Sequence, residues 1–142
     1  MSRSFLGRIA VRPKSALIGS TLLAASAALV VGVNAPTAAA APTAAESASA
    51  QAIAKKMIKD ESQFQCFSKI VKHESGWDVT ASNPSSGAYG LVQALPAGKM
   101  ATAGSDWKTN PATQIEWGLD YMKDRYGSPC DAWSTWQTQG WY

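Results

Sequence analysis

The chain has two cysteines, Cys66 and Cys130, and the 64 positions separating them span most of what can fold. A disulfide closing a loop of that length would stabilise the fold by roughly 4 kcal/mol, through the entropy it removes from the denatured chain. Whether the pair is oxidised depends on compartment, and the N-terminus bears on that. It reads MSRSFLGRIAVRPK, with Arg3, Arg8, Arg12 and Lys14 and no acid, then SALIGSTLLAASAALVVGV, then NAPTAAAAPTAA. A basic start, an apolar run and an Ala-x-Ala site at 38–40 or 39–41 form the pattern of a secretory signal peptide. The run is also about as long as a short membrane span. Its many Ala, Gly and Ser residues favour cleavage instead. The expected organisation is a signal peptide at 1–40, a flexible small-residue leader at 41–50, and one folded domain at 51–142. The product is expected outside the cell, with no stable membrane insertion.

In that setting two cysteines read first as one disulfide. Sharper uses fail on geometry. His73, the only histidine, stands seven residues after Cys66 on the same expected helix. At 1.5 Å per residue that is about 10 Å, too far for a thiolate–imidazole pair. One His and two Cys also fall short of a closed zinc shell. No metal and no cofactor is expected.

Charge excludes another class of partner. The full chain has a net charge of +3 and a pI near 9.0. All ten acids lie after Ala41, whereas four of the thirteen basic residues lie before it. The mature part carries nine basic residues against ten acidic ones, so the basic pI belongs to the export signal. Nothing there points to nucleic acid. A domain of roughly 90 residues without an internal repeat is expected to act as a monomer and to need its cross-link.

Residues 48–59 have helical composition, with Ile53 and Met57 on one face. Ser62 and Gln65 resemble a capping box that opens a second helix, QFQCFSKIVKHES, ending at Gly76. Residues 78–94 hold turn signals and at most short β pieces. Asn110 and Pro111 open the clearest helix, PATQIEWGLDYMKDRY, with Gly127 after it. Ile115, Leu119, Met122 and Tyr126 share a face of that helix, and Trp117 on it is expected in the core. The tail SPCDAWSTWQTQGWY reads as a short last helix with an aromatic end. The fold class is mostly α, α+β at most, with a loop or small hairpin in the middle.

Glu74 stands out in this pattern. Phe64, Phe67, Ile70 and Val71 form the apolar face of the second helix, and position 74 is the next step on it. Lys69 and Lys72 lie on other faces. Apolar surroundings disfavour the charged carboxylate, and the negative end of the helix dipole repels it. Both push its pKa upward, toward what a general acid requires. A solvated Glu at a frayed helix end is the plain alternative. Against that reading stand Ser75, Trp77, Tyr89 and Gln93 nearby, with six tryptophans in the mature chain. Tryptophan and tyrosine faces stack on sugar rings, and Ser and Gln hydrogen-bond hydroxyls and amides.

Three motifs then occur in order: Glu74-Ser75-Gly76; Gly87-Ala88-Tyr89-Gly90-Leu91-Val92-Gln93; and Asn110-Pro111 leading to Gly118-Leu119-Asp120-Tyr121-Met122. Over residues 63–127 the chain resembles the soluble-lytic-transglycosylase domain, a lysozyme-like family that cleaves bacterial peptidoglycan. The resemblance implies a small lysozyme-like domain, associated with the bacterial cell wall and acting on its glycan strands. It implies that Glu74 is the single catalytic acid and that Ser75, Tyr89, Gly90 and Gln93 serve the substrate site. Val92 replaces a common Met, and the family's later Ala-Tyr-Asn motif is missing. The tail instead reads Cys130-Asp131-Ala132-Trp133-Ser134-Thr135-Trp136, more similar to resuscitation-promoting factors and aggregation-promoting-factor-like proteins, small secreted relatives of actinobacterial type. Trp133 is counted among the expected substrate contacts, while which of Trp77, Trp107, Trp133 and Trp136 line the cleft and which fill the core stays open.

Ordinary glycoside hydrolysis needs two carboxylates across the bond, and the sequence offers no clear second one beyond Asp78. The resemblance implies a single-acid route. Glu74 protonates the oxygen between N-acetylmuramic acid and N-acetylglucosamine. It then takes the proton of the muramic C6 hydroxyl as a 1,6-anhydro ring closes. A hydrolytic muramidase using Asp78 or another base, and a wall-binding module without turnover, remain the alternatives.

Overall fold

Helix signals in the sequence become four helices in the computed structural model, which describes residues 40–142. They are α1 (Ala44–Met57), α2 (Glu61–Glu74), α3 (Pro111–Tyr126) and α4 (Pro129–Gln139), with a 3₁₀ helix at Ala97–Thr102. The expected signal segment lies outside the described residues apart from Ala40. No helix among the described residues is long and apolar enough to cross a membrane.

Two boundaries differ from expectation. Helix α1 begins inside the stretch expected as a flexible leader. Thr43 and Glu46 form a full capping box there: the Thr43 hydroxyl accepts from the Glu46 N–H, and the Glu46 carboxylate accepts from the Thr43 N–H. The helix is held by Ala50 and Ala54, both fully buried. Helix α2 is capped by Asp60 rather than by Ser62, because the Asp60 carboxylate accepts from the Gln63 N–H at 3.0 Å. A carboxylate suits the positive helix end better than a hydroxyl.

Phe67, Ile70 and Val71 of α2 meet Ile115 and Met122 of α3, with Leu91 and Met100 from the intervening segment, all fully buried. Helix α2 packs chiefly on α4, α3 on α4 and α1. The disulfide Cys66–Cys130 joins α2 to α4 with their Cα atoms 4.9 Å apart. It is reinforced by the Cys130 N–H donating to the Gln63 side-chain carbonyl. Between α2 and α3 the chain makes turns and two isolated antiparallel bridges, Ser82 to Tyr89 and Tyr89 to Ala94. The fold is therefore mostly helical, with a turn-rich segment in place of a true hairpin.

Candidate functional site

Glu74 is the last residue of α2 and is half-buried. Burial raises its pKa above the ordinary glutamate value. Two smaller influences lower it, a hydrogen bond from Trp136 and the neighbouring His73. The direction expected from the sequence holds, with desolvation as the leading cause.

The hydrogen bond comes from α4. The Cys66–Cys130 bond and the Glu74–Trp136 contact further along both helices show that α2 and α4 run side by side in the same direction. Cys66 lies eight residues before Glu74, and Cys130 lies six residues before Trp136. The Trp136 indole N–H donates to Glu74 Oε1 at 2.8 Å. That indole is itself held: it stacks on His73 at 4.4 Å and on Trp133 at 5.1 Å between ring centroids. Lys69 Nζ lies 5.8 Å from the Trp133 ring, within cation–π range. An aromatic layer thus fixes the side chain that hydrogen-bonds the Glu74 carboxyl.

The opposite wall is the segment 76–95, and a residue overlooked in the sequence positions it. Gln114 is fully buried. Its side-chain oxygen accepts from the Leu91 N–H at 2.8 Å, and its nitrogen donates to the carbonyls of Val79 at 2.9 Å and Trp107 at 2.8 Å. One amide therefore ties three loop strands to α3. Gly90, at φ +79°, sits against it so closely that a Cβ would come within 2.5 Å of Gln114 Oε1. Gly118 receives Val92 in the same way, a Cβ there falling 2.6 Å from Val92 Cγ1.

Glu74 opens into a cavity of about 370 Å³ bounded by this segment, α3 and the tail. Among the residues expected at the site, Gln93 lines the cavity. Its side-chain nitrogen donates to the carbonyls of Gly90 and Ala81, which fixes a backbone at φ +49°. Ser75 acts on the backbone, donating to the Leu91 carbonyl at 2.9 Å, and so clamps the loop to the end of α2. Tyr89 turns its hydroxyl to the Lys108 carbonyl at 2.9 Å and its ring edge to Trp107. Trp133 stands behind Trp136 instead of facing the cavity. Trp77 is buried, edge-on to Phe67.

Trp117 was expected in the core, but it is only partly buried and lines the cavity with Tyr121 and Arg125. It still packs against the edge of the core, while the next residue, Gly118, lies against Val92. Leu95 and Trp141, 54% and 56% exposed, stand at the cavity as apolar rims. A tyrosine also reaches it, although the Ala-Tyr-Asn motif is missing. The Tyr142 hydroxyl donates to the Val92 carbonyl at 2.8 Å. Burial, and secondarily the Glu74 charge, hold its pKa well above the ordinary tyrosine value. Among the described residues no group of three His, Cys, Asp or Glu is arranged to hold a metal.

The arrangement can shelter a protonated carboxyl, deliver it to an oxygen in the cavity, and offer aromatic faces to a flat or ring-shaped ligand. No curated protein and no solved structure matches the chain. A family model does, that of the transglycosylase SLT domain, over residues 50–138. That match runs from within α1 nearly to the end of α4 and includes Glu74, Gln93, Gln114 and Trp136. With most of the chain so matched, it belongs to the transglycosylase SLT family, whose domains act on peptidoglycan.

Proposed function

We propose that the domain is a lytic transglycosylase, exported by a signal peptide at residues 1–40 that is then removed. It would work as a monomer at the bacterial cell wall, cutting between N-acetylmuramic acid and N-acetylglucosamine with Glu74 as its catalytic residue. The observation that carries this reading is that Glu74 is the sole carboxylate lining its cavity among the described residues. Asp78, the candidate for a second, is engaged elsewhere. Its Oδ1 accepts from the Thr80 N–H at 2.8 Å and the Thr80 hydroxyl at 2.9 Å. A two-carboxylate hydrolysis would need its partner across the bond.

The chemistry follows from one proton. Glu74, whose burial favours the protonated form, donates to the bridging oxygen as the bond to the muramic C1 breaks. The electron pair leaves with that oxygen, and the substrate's own acetamido group stabilises the positive charge on the ring. The resulting carboxylate, steadied by the Trp136 N–H, removes the C6 hydroxyl proton, and O6 closes on C1. Atoms balance without water, and Glu74 ends protonated. Mass spectrometry of fragments released from purified peptidoglycan tests this. Products lighter by one water than hydrolytic muropeptides are expected, and reducing ends would overturn the single-acid route.

Trp136 gives a pH test of the same reading. Its hydrogen bond lowers the Glu74 pKa, so Trp136→Phe removes a lowering influence and the pKa rises further. Activity that needs protonated Glu74 declines as pH rises through that pKa. The alkaline limb of the variant should therefore move to higher pH. Turnover should fall roughly tenfold, because the carboxylate formed at mid-reaction loses its donor. An unmoved limb would show that Trp136 does not touch the titrating group in solution.

A further inference from the structure

His73 precedes Glu74 in the last turn of α2 and is exposed to solvent. A histidine there can serve the helix end, where a cation offsets the negative pole of the dipole. Its ring has a more specific place. It lies 4.4 Å from the Trp136 ring and 5.6 Å from Trp133, centroid to centroid, and the two indoles are 5.1 Å apart. No pair of these planes departs from parallel by more than 30°. Trp136 therefore stacks on both partners, and His73 is the nearer. The same indole carries the N–H that donates to Glu74 Oε1. Two successive residues of α2 thus grip one side chain of α4, one by its carboxyl and one by its ring face. Trp136 opens the last turn of α4, six residues beyond the Cys130 cross-link. The disulfide fixes the start of that helix, so the angle of an indole near its end is left to side-chain packing.

We propose that His73 is a positioning residue for the acid, its imidazole face holding the Trp136 N–H on the Glu74 carboxyl. This rests on the glycan-cleaving reading above and deepens it, because the carboxylate formed at mid-reaction needs that donor in place. The imidazole also brings a charge. Protonated, it is a cation over an indole, an attraction that tightens the stack. The same charge lies beside Glu74 and lowers its pKa, against the effect of burial. The other titratable or charged groups about Glu74 are Tyr142 from the tail, Tyr121 and Arg125 from α3, and Lys99 from the 3₁₀ helix. Around His73, α2 adds Lys69 and Lys72, while α4 presents two neutral indoles. Ring and charge separate: the ring acts through Trp136, the charge directly on Glu74.

His73→Ala loses ring and charge, His73→Phe keeps a flat ring, and Trp136→Phe keeps a ring without the N–H. Turnover on peptidoglycan should fall about fivefold in His73→Ala with KM little changed, and His73→Phe should recover most of the loss. Added to Trp136→Phe, His73→Ala should cost less than about twofold, because the donor it positions is already gone. The alkaline limb should move to higher pH in both His73 variants, since each removes a lowering influence on Glu74. Circular dichroism and thermal midpoints check that the variants fold. Turnover unchanged by His73→Ala would overturn the proposal, as would an equal loss with and without the Trp136 N–H. An unmoved limb would remove the charge from it. Solvent exchange of the Trp136 indole N–H gives a readout without substrate, its resonance assigned by its absence in Trp136→Phe. Exchange should quicken about fivefold in His73→Ala and return toward the parent rate in His73→Phe. Exchange unaffected by either change would overturn the positioning role even where fragments are released. If the unmodified protein releases no anhydro-ended fragments, the reaction falls, and the exchange rates still decide whether His73 holds Trp136.

Discussion

Glu74→Gln is expected to abolish fragment release from peptidoglycan, lowering turnover by roughly a thousandfold or more while the protein stays folded. The amide has the size of the carboxyl and can still accept the Trp136 indole N–H, so the aromatic layer over it should persist. What it cannot do is donate a proton to the bridging oxygen and then take one from the C6 hydroxyl. The same substitution has a sign in stability. Burial raises the Glu74 pKa in the folded state. Its contribution to stability is therefore fully present below the unfolded glutamate pKa and lost as pH rises through the folded value. Above that window the ionised, half-buried carboxylate is a burden that glutamine does not carry. The variant should then melt higher than its parent, as expected where a site trades stability for function. A residual rate within tenfold of the parent would remove Glu74 from the chemistry. If the parent also releases nothing yet still binds the wall, the binding-module alternative would stand.

How much of this was legible depended on whether the signal was local. The Glu74 position, its raised pKa and the helix end just before Gly76 follow from one amphipathic segment, and the pattern within α2 contains them. The cysteine pairing was readable because only two cysteines exist. Trp136 was not legible as the partner of Glu74, because that contact depends on how α4 aligns beside α2. Helical periodicity says nothing about alignment. Trp117 was half legible: it packs against the core as its helix suggests, but its other side lines the cavity, which periodicity does not show. The leader was misjudged because small residues read as flexible, whereas Ala50 and Ala54 are small so that α1 can pack closely. Ser75 and Tyr89 do not line the Glu74 cavity, and each spends its hydroxyl on a loop carbonyl.

Gln114 was the least visible residue of all, and it should prove among the costliest to lose. A glutamine near the start of a helix looks like surface, and only its spacing hints otherwise. Gln114, Gly118 and Met122 lie four apart, on a face that is fully buried at positions 114 and 122. Gln114→Leu keeps the volume and removes every polar atom. The Leu91 N–H and the Val79 and Trp107 carbonyls would lose their partner in a dry interior. Each unsatisfied buried group costs about 1–3 kcal/mol. Partial relaxation of the loop leaves an expected loss of roughly 4 kcal/mol, measured by urea unfolding with the disulfide intact. Gly90→Ala attacks the same joint from the other side, driving a methyl into the amide at a residue whose φ is +79°. A single buried anchor predicts that the double variant loses much less than the sum of the two, since either change alone breaks the joint. Full additivity would mean that the loop is held mainly by Ser75 and Gln93. In that case the wall of the Glu74 cavity would survive without α3.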